Sequence, residues 1–359
     1  MSALVKNRKD EITAIDLFCG AGGFSLAAMN LGIHVLAALE NNSSACESYR
    51  SYFSRFSPPP ILFEKDICTL SPEEMISKLP KGISPDILMG GPPCQGFSTL
   101  RLKDSGVDDP RNALLIRYFD FVRALRPKVF LVENVVGLLW PRHRSYLEKF
   151  YEEADAAGYD VLSPVILNAC DYGVPQRRKR VFILGWKGKR PHELSWPPAP
   201  THCNPLGSIA GLKSWLPAGV AFECPAPEGD RNDVHMNHGE TLLKVFRSTP
   251  LNGGSRKDSY RVLPCHEHHD GHKDVYGRID PSKPAPTMTT ACINPSKGRF
   301  LHPTEHHGIT VRQAARLQTF PDDFFFAGGL MNAARQVGNA VPIKLGEAVL
   351  KSILPIITK

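Results

Sequence analysis

Short apolar runs alternate with amphipathic stretches through the first half of this chain. TAIDLF (13–18) and HVLAALE (34–40) have the length and apolar content of buried strands, and each precedes a stretch with helical spacing of apolar residues. The same pattern predicts further strands at 85–90, 128–134 and 180–186, and helices at 25–32, 44–53, 112–125 and 145–158. Strands that alternate with helices form crossover units, so we expect an α/β fold with a mostly parallel sheet covered on both faces.

The pattern changes after Trp186. Residues 187 to about 310 are rich in Pro, Gly, His, Asn and Lys and have no sustained period, which is typical of a smaller, irregular domain. Helical spacing then returns and ends in KLGEAVLKSILPII (344–357), an amphipathic helix that we expect to pack on the main sheet. The predicted organisation is a main domain over residues 1–186, a small domain over 187–325 and a C-terminal segment over 326–359 that returns to the main domain.

Composition narrows the class of protein only slightly. The formal net charge of +7 is mildly basic, which is compatible with a polyanionic partner without requiring one. The 9 cysteines are odd in number, widely spaced and include no CxxC, so a reducing compartment is favoured over a disulfide framework. The N-terminal residues lack the apolar run of a signal peptide, and no apolar stretch approaches the ~18 residues of a membrane-spanning helix. We therefore expect a cytoplasmic protein.

The first predicted strand runs into a glycine-rich turn, DLFCGAGGFS (16–25). Glycines allow a tight turn and a close approach of a ligand to the following helix N-terminus. Glu40 ends the next strand, where a carboxylate can accept hydrogen bonds from ribose hydroxyls, and Asp66 follows a further apolar stretch and can bind an exocyclic amine. The pattern is not GxGxxG, so it indicates a nucleoside ligand without a pyrophosphate. A plain tight turn and a solvated loop carboxylate are the alternatives.

A cysteine follows the strand predicted at 85–90, in GGPPCQGFSTL (90–100). The two prolines fix φ and direct the loop out of the strand, and Gly96 lets the chain turn past the thiol of Cys94. This arrangement presents a nucleophile, which attacks as a thiolate and needs positive charge or backbone N–H groups near it. The alternative is a small buried hydrophobic residue.

Two further strand ends carry charged side chains. KVFLVENVVG (128–137) places Glu133 at the end of an apolar run, where a poorly solvated carboxyl can hold a proton near neutral pH, or else lies at a helix N-terminus. In GVPQRRKRVFIL (173–184), Arg178 and Arg180 alternate before a buried strand and are expected to point the same way, which suits an anion. A solvated charged face is the alternative for this run.

Taken together, these stretches resemble the C5-cytosine DNA methyltransferases over nearly the whole chain and in the usual order of that family. DLFCGAGGFS resembles the first cofactor motif, GGPPCQGFS the catalytic-cysteine motif, ENV the catalytic-glutamate motif and QRRKR the QxRxR motif. TVRQAARLQTFPDDF (310–324) is similar to the motif that organises the recognition domain, and QVGNAVP (336–342) to the final motif. The resemblance implies a Rossmann-like methyltransferase sheet that binds S-adenosyl-L-methionine, with a target-recognition domain at 187–325.

The resemblance also implies residue roles. Cys94 is the expected nucleophile on cytosine C6, Glu133 the contact to ring N3 and the exocyclic amine, Arg180 a clamp on the flipped base and Arg178 a support for the loop. The implied cofactor contacts are Phe18, Gly20, Gly22, Gly23, Glu40, Asn41, Asp66, Ile67, Pro92, Leu114 and Asn339. In DDPRNALL (108–115) the chain has Arg-Asn where the family often has Arg-Gly, which weakens the case for Leu114. The expected DNA contacts are Gln95, Ser98, Arg256, Lys257, Arg261 and Lys273.

The function that the resemblance implies is DNA (cytosine-5-)-methyltransferase activity. A methyl group passes from S-adenosyl-L-methionine to C5 of a flipped cytosine in a specific duplex sequence, through a covalent bond between Cys94 and C6. The chain looks like a prokaryotic modification enzyme of a restriction–modification system. It is expected to act as a monomer on double-stranded DNA in the cytoplasm and to associate with the nucleoid when bound. A companion restriction endonuclease would be a genetic partner and not a physical one.

Three other functions are open to test. The transfer-RNA cytosine-5 methyltransferases share most motifs but carry a Cys-Phe-Thr stretch that this sequence lacks. A nucleotide-dependent oxidoreductase with a reactive thiol would be expected to have GxGxxG. A catalytically inactive DNA-binding relative fits poorly, because Cys94, Glu133 and Arg180 are all present. A Cys/His cluster, which consists of Cys265, His266, His268, His269 and His272, invites a zinc interpretation, but its spacing is not that of a zinc site and no metal is predicted.

Overall fold

The computed structural model describes residues 11–92, 113–188, 191–207, 209–259 and 274–357. The chain divides into two compact units. The first unit comprises Met1–Leu167, Lys179–Ala199 and Gly346–Lys359, and the second comprises Asn168–Arg178 and Pro200–Leu345. These units divide the chain differently from the boundaries predicted at residues 186 and 325, because the segments 168–178 and 326–345 cluster with the second unit. The assignment of a target-recognition domain to 187–325 stays a prediction.

The first unit is built on one mixed sheet. Its strands are β1 (Thr13–Leu17), β2 (His34–Glu40), β3 (Ile61–Glu64), β4 (Ile87–Gly90), β5 (Val129–Asn134), β6 (Tyr159–Val161), β7 (Val165–Asn168) and β8 (Lys179–Lys187). The order is β3-β2-β1-β4-β5-β8-β6, with β7 paired to β8. The strands β1 to β5 are parallel, whereas β8 is antiparallel to both β5 and β6. All five strands predicted from the apolar runs are present, within two residues of their predicted starts.

The helices of the first unit are α1 (Gly23–Asn30), α2 (Ser43–Phe53), α3 (Pro72–Lys78), α4 (Ala113–Leu125) and α5 (Arg144–Ala156). Four of them confirm the predicted helices, and α3 was not predicted. Its sequence does carry a start signal, because the side chain of Ser71 accepts a hydrogen bond from the backbone N–H of Glu74 and a proline occupies the first helical position. The C-terminal helix α9 (Ile343–Ile357) packs against α1 through Gly346, where an added Cβ would lie 2.8 Å from Cβ of Ala27.

Aromatic side chains fill the space between α4, α5 and the sheet. Phe119, Phe130 and Phe150 meet edge to face, with ring centroids 4.7 to 5.8 Å apart, and all three are fully buried. The neighbouring position on β8 is Gly185, where an added Cβ would lie 2.0 Å from the ring of Phe130. The glycine is therefore required by the packing of the Phe130 ring flat over β8.

The second unit contains little regular structure. Among its described residues the structure places β9 (His202–Cys203), β10 (Lys213–Ser214), α6 (Glu240–Ser248), α7 (Val311–Leu317) and α8 (Gly329–Asn339), together with short 3₁₀ turns. Irregular backbone leaves carbonyl groups without secondary-structure partners, and each of these needs a donor when buried. Buried arginines supply donors: Arg278 binds the carbonyls of Thr249, Phe246 and His302, and Arg312 binds those of Pro321 and Phe324 while pairing with Asp230.

Among the described residues, no helix has the length and apolar character needed to cross a membrane.

The packing around Gly185 makes a direct prediction. We expect Gly185→Ala to destabilise the protein by about 1–3 kcal/mol, because the new methyl group forces the Phe130 ring out of its packed position. Denaturant unfolding of the two proteins measures this difference. Gly207→Ala is the matched control, since an added Cβ at Gly207 has no atom within 4 Å. Equal destabilisation by both substitutions would contradict the packing argument.

Candidate active site

The glycine-rich turn after β1 holds its backbone in the left-handed region. Phe18, Gly20 and Gly22 have φ values of 59°, 56° and 97°. This conformation costs glycine little, but it strains a phenylalanine, and such strain in native structures concentrates at ligand sites. A Cβ at Gly22 would lie 2.5 Å from the ring of Phe53, whereas a Cβ at Gly20 would meet nothing within 4 Å. The turn is thus closed against α2 at Gly22 and open at Gly20.

Glu40, at the end of β2, fixes the turn from the neighbouring strand. Its Oε2 accepts a hydrogen bond from the N–H of Gly20 at 2.9 Å, and its Oε1 accepts from the N–H groups of Asn41 and Asn42 at 2.9 and 2.8 Å. An ionised carboxylate has about four acceptor sites, so Glu40 retains capacity for a further donor such as a ribose hydroxyl. The open position at Gly20 and the spare acceptor beside it fit the nucleoside part of S-adenosyl-L-methionine.

The remaining predicted cofactor residues of the first unit lie nearby in the topology. Asp66 and Ile67 follow β3, which pairs with β2, and the side chain of Ile67 is buried. Asp66 Oδ1 accepts a hydrogen bond from the N–H of Cys68 at 2.8 Å, and the carboxylate is otherwise exposed. Leu114, on α4, packs at the edge of the core cluster that includes Ile67. Asn41 is exposed, and Gly23 begins α1.

A buried polar network supports the turn from below, and the sequence reasoning missed it. Ser25 donates a hydrogen bond to Asp16 Oδ2 at 2.7 Å, and Tyr49 donates to Ser25 at 3.1 Å. Burial raises the pKa of Asp16 to about 7, and the hydrogen bonds of Ser25 offset part of that shift. The available signal was an aspartate, Asp16, inside an apolar strand, with a serine, Ser25, in the first turn of the helix that follows.

The antiparallel pairing of β5 and β8 brings Glu133 together with Arg180. Arg180 Nε lies 2.9 Å from Glu133 Oε1, and the two side chains are 14% and 10% exposed. The pair has the distance of an ion pair without the alignment of a hydrogen bond, because Glu133 Oε1 has no hydrogen-bond partner. A carboxylate in this state is buried, charged against an arginine and still able to accept from a ligand.

The strand that precedes the catalytic-cysteine motif lies directly beside this pair. A Cβ added to Gly91 would lie 3.2 Å from Glu133 Oε2, so a larger residue there would crowd the carboxylate. Asn134, which is 2% exposed, donates from Nδ2 to the carbonyl of Pro92 at 3.4 Å. The structure thus places the start of GGPPCQGFS against ENV. Cys94, Gln95 and Ser98 lie outside the described residues.

Arg178 corrects one expectation. The hydrogen bonds described for its guanidinium do not go to an anion: Arg178 is 1% exposed and donates to the backbone carbonyls of Met288, Gly338 and Ala340. Arg178 and Arg180 were expected to point the same way because side chains alternate along a strand. That expectation was wrong because β8 begins only at Lys179, so Arg178 precedes the strand and belongs to the second unit. Its predicted role as a support for the loop stays a prediction.

The residues of the second unit that were predicted to bind the cofactor or DNA differ in their exposure. Asn339, the last residue of α8, is exposed. Lys257 is exposed as expected for a phosphate contact, but Arg256 is 7% exposed, because the 3₁₀ turn that carries it tucks its side chain into the unit. Arg261, Lys273 and the Cys/His cluster of 265–272 lie outside the described residues. Within the part of the chain that is described, no group of three or more His, Cys, Asp or Glu side chains can hold a metal ion.

Comparison with known proteins assigns the family. Residues 12–355 match the model of the C-5 cytosine-specific DNA methylase family, and the chain belongs to it. It is 34% identical to the Type II methyltransferase M1.HphI of Haemophilus parahaemolyticus, over 96% of this chain and 87% of that protein. It is 31% identical to M.DdeI of Desulfomicrobium norvegicum, over 94% of this chain and 88% of that protein.

Two solved structures share the fold. One is described as a DNA modification methyltransferase encoded within an Escherichia coli prophage, with 24% identity, 97% and 100% coverage of the two chains and a TM-score of 0.73. The other is the Schizosaccharomyces pombe Dnmt2 methyltransferase, with 15% identity, 96% and 99% coverage and a TM-score of 0.61. The methyltransferase fold, DNA (cytosine-5-)-methyltransferase activity, DNA as substrate and S-adenosyl-L-methionine as cofactor, all predicted from the sequence, are confirmed.

The buried Asp16 predicts a pH dependence of stability. Its pKa rises from 3.8 to about 7 on folding, so between these values the folded state binds more protons than the unfolded state and stability falls as pH rises. We expect Asp16→Asn to gain stability relative to the wild type across this range, by up to about 1.4 kcal/mol per pH unit. Denaturation midpoints at about pH 4.5 and about pH 7.5 measure the effect. Asp155→Asn, at an exposed position, is the control. Parallel curves for wild type and Asp16→Asn would contradict the prediction.

Proposed function

We propose that this protein methylates C5 of a cytosine within a specific duplex sequence, with Cys94 as nucleophile and the Glu133–Arg180 pair as the clamp on the flipped base. The observation that carries the proposal is this ion pair, which lies beside Gly91 and Pro92 at the carboxyl ends of β4 and β5. Ligands of open α/β sheets bind beyond those strand ends. Gly91 and Pro92 lead directly in sequence to Cys94, the predicted nucleophile.

The chemistry explains why these groups are needed. C5 of cytosine is a weak nucleophile, and its target atom is shielded inside the duplex, so the base is flipped out. The Cys94 thiolate forms a bond to C6 while the carboxyl of Glu133, having taken up a proton, donates that proton to N3 and accepts a hydrogen bond from the exocyclic amine, which makes C5 electron-rich. Glu133 takes the N3 proton back when the ring is restored. S-adenosyl-L-methionine supplies the methyl group from its sulfonium centre. The C5 proton is then lost, the bond between Cys94 and C6 breaks, and the aromatic ring is restored.

The ion pair sets the charge of the clamp before the base arrives. Arg180 compensates the buried Glu133 carboxylate at 2.9 Å, which lowers the cost of keeping that charge away from water. A cytosine placed between them offers donors and acceptors along one edge. The carboxyl and the guanidinium then give up their contact with each other, and each forms a contact with the base. The geometry favours cytosine binding in which the two side chains act together.

The cofactor contacts follow from the turn after β1. Glu40, with its spare acceptor capacity, is proposed to bind the ribose hydroxyls, and Asp66 the exocyclic amine of the adenine. Asn41 and Ile67 are proposed to flank the adenosine, with Phe18, Gly20, Gly22, Gly23, Pro92, Leu114 and Asn339 as the remaining contacts. Phe18, held in a strained conformation, is the residue of this set that the backbone most clearly prepares for a ligand.

The biological setting is also a proposal. Relatives named Type II methyltransferases support a role as the modification enzyme of a restriction–modification system, with a companion endonuclease encoded elsewhere. We propose a monomer that acts in the prokaryotic cytoplasm and associates with the nucleoid when bound to DNA. Residues 187–325 are proposed to read the target, with Lys257 on a phosphate. The likeness to Dnmt2 concerns the fold alone at 15% identity, and no observation favours transfer RNA as the substrate.

The deciding experiment is transfer of labelled methyl groups from S-adenosyl-L-methionine to mixed-sequence duplex DNA and to transfer RNA. After digestion to nucleosides, label in 5-methyldeoxycytidine is expected, and mapping of the sites gives the target sequence. We expect Cys94→Ala to abolish transfer while retaining cofactor binding. Label in transfer RNA alone, or persistent turnover by the Cys94→Ala variant, would overturn the proposal.

Glu133→Gln tests the clamp separately. The amide keeps the size of the side chain but cannot carry the proton, so we expect DNA binding to persist and the rate of methyl transfer to fall by about 10²–10⁴-fold. Single-turnover transfer and a DNA-binding titration measure the two properties. Glu148→Gln is the matched control, because Glu148 lies in an exposed ion pair with Arg144. A Glu133→Gln variant with the wild-type rate would remove this residue from the mechanism.

A further inference from the structure

The end of α8 is held by side chains from two other segments of the second unit. Arg178 Nη2 donates to the carbonyls of Gly338 and Ala340 at 2.9 and 3.1 Å, and its Nη1 donates to the carbonyl of Met288 at 2.9 Å. Gln318 Nε2 donates to the carbonyls of Val337 and Ala340 at 2.6 and 3.2 Å. The last carbonyls of a helix have no partners within the helix, and a cation there also interacts favourably with the helix dipole.

The residue between the two carbonyls bound by Arg178 is Asn339. Its neighbours Gly338 and Ala340 are buried, whereas the side chain of Asn339 is exposed. A Cβ at Gly338 would lie 2.2 Å from the carbonyl oxygen of Thr289, so the helix end presses directly on the backbone that also carries Met288. Arg178 joins these two pieces of backbone, and the direction in which Asn339 projects depends on that junction.

We propose that Arg178 is a positioning residue of the cofactor site, which acts by holding Asn339 in place through the carbonyls of Gly338 and Ala340. The inference rests on the proposed role of Asn339 in binding S-adenosyl-L-methionine. The two arginines of QRRKR then have separate tasks. Arg180 lies against Glu133 and serves the base, whereas Arg178 donates to the backbone carbonyls of Met288, Gly338 and Ala340 and serves the cofactor.

The planar fork of arginine is what this arrangement uses. Two terminal nitrogens of one planar group donate to the three carbonyls, whereas a lysine ammonium offers a single nitrogen on a flexible chain. Arg178→Lys keeps the positive charge and loses part of the junction. We therefore expect the Arg178→Lys variant to fold but to change the direction in which Asn339 projects.

The test is the affinity for S-adenosylhomocysteine without DNA, measured by isothermal titration calorimetry on the full chain. We expect Arg178→Lys to raise the Kd by about tenfold, the equivalent of one ordinary hydrogen bond. Asn339→Ala is expected to raise the Kd at least as much. The double variant should bind no more weakly than Asn339→Ala alone, because Arg178 acts through that residue. Arg180→Lys is expected to slow methyl transfer and to retain the affinity for S-adenosylhomocysteine.

Arg278→Lys separates positioning from general loss of stability. Arg278 is an equally buried arginine of the same unit that also donates to backbone carbonyls, those of Thr249, Phe246 and His302, but none of these belongs to α8. The Arg278→Lys variant should lower the melting temperature as much as Arg178→Lys does and leave the Kd for S-adenosylhomocysteine unchanged. An unchanged Kd in Arg178→Lys with a raised Kd in Asn339→Ala, or an equal rise in Arg278→Lys, would overturn the inference. Absence of binding by the wild type would overturn the proposed function with it.

Discussion

The antiparallel pairing of β8 with β5 is the constraint on which the candidate active site depends. In an entirely parallel sheet, every strand would end at the ligand edge and none would begin there. Because β8 runs the other way, its first residues lie opposite the last residues of β5, with Val181 facing Asn134 and Phe182 facing Glu133. Arg180, the second residue of β8, and Glu133, near the end of β5, are brought together by this antiparallel pairing.

Buried charge is tolerated here only where it is compensated. Glu133 is held against Arg180, and removing one member of such a pair leaves the other charge uncompensated in the interior. Asp16 has no cation among its principal influences, and its burial is opposed only by hydrogen bonds of Ser25, so its pKa moves to about 7. Near neutral pH, the buried Asp16 beneath the turn after β1 therefore lowers the stability of the first unit. Strain at Phe18 lies in the same turn, which is consistent with a segment prepared for a ligand.

The second unit solves a different problem. Its backbone is mostly irregular, so its interior contains carbonyls that strands and helices would otherwise satisfy. Arg178, Arg278 and Arg312 are among its largest fully buried side chains. Arg178 and Arg278 bind carbonyls from segments distant in sequence, whereas Arg312 binds nearby carbonyls and pairs with the distant Asp230. Gln176 and Gln318 bind each other and the carbonyls of Leu317, Val337 and Ala340 in the same way. Motif residues that are widely separated in sequence are joined through these hydrogen bonds rather than through a continuous sheet.

The sequence by itself determined five of the eight strands and four of the five helices between β1 and β8, because apolar runs and helical periodicity are local properties. It also determined the family and the identity of Cys94, Glu133 and Arg180 as candidate chemical groups, since short motifs in a fixed order carry that information. Only the tertiary structure decided that Arg178 binds carbonyls, that Arg256 is buried and that Asp16 lies in a network with Ser25 and Tyr49. Each of these depends on which distant backbone surrounds the side chain. Neither periodicity nor residue type predicts these contacts, because a side chain becomes buried only when segments far apart in the sequence pack together.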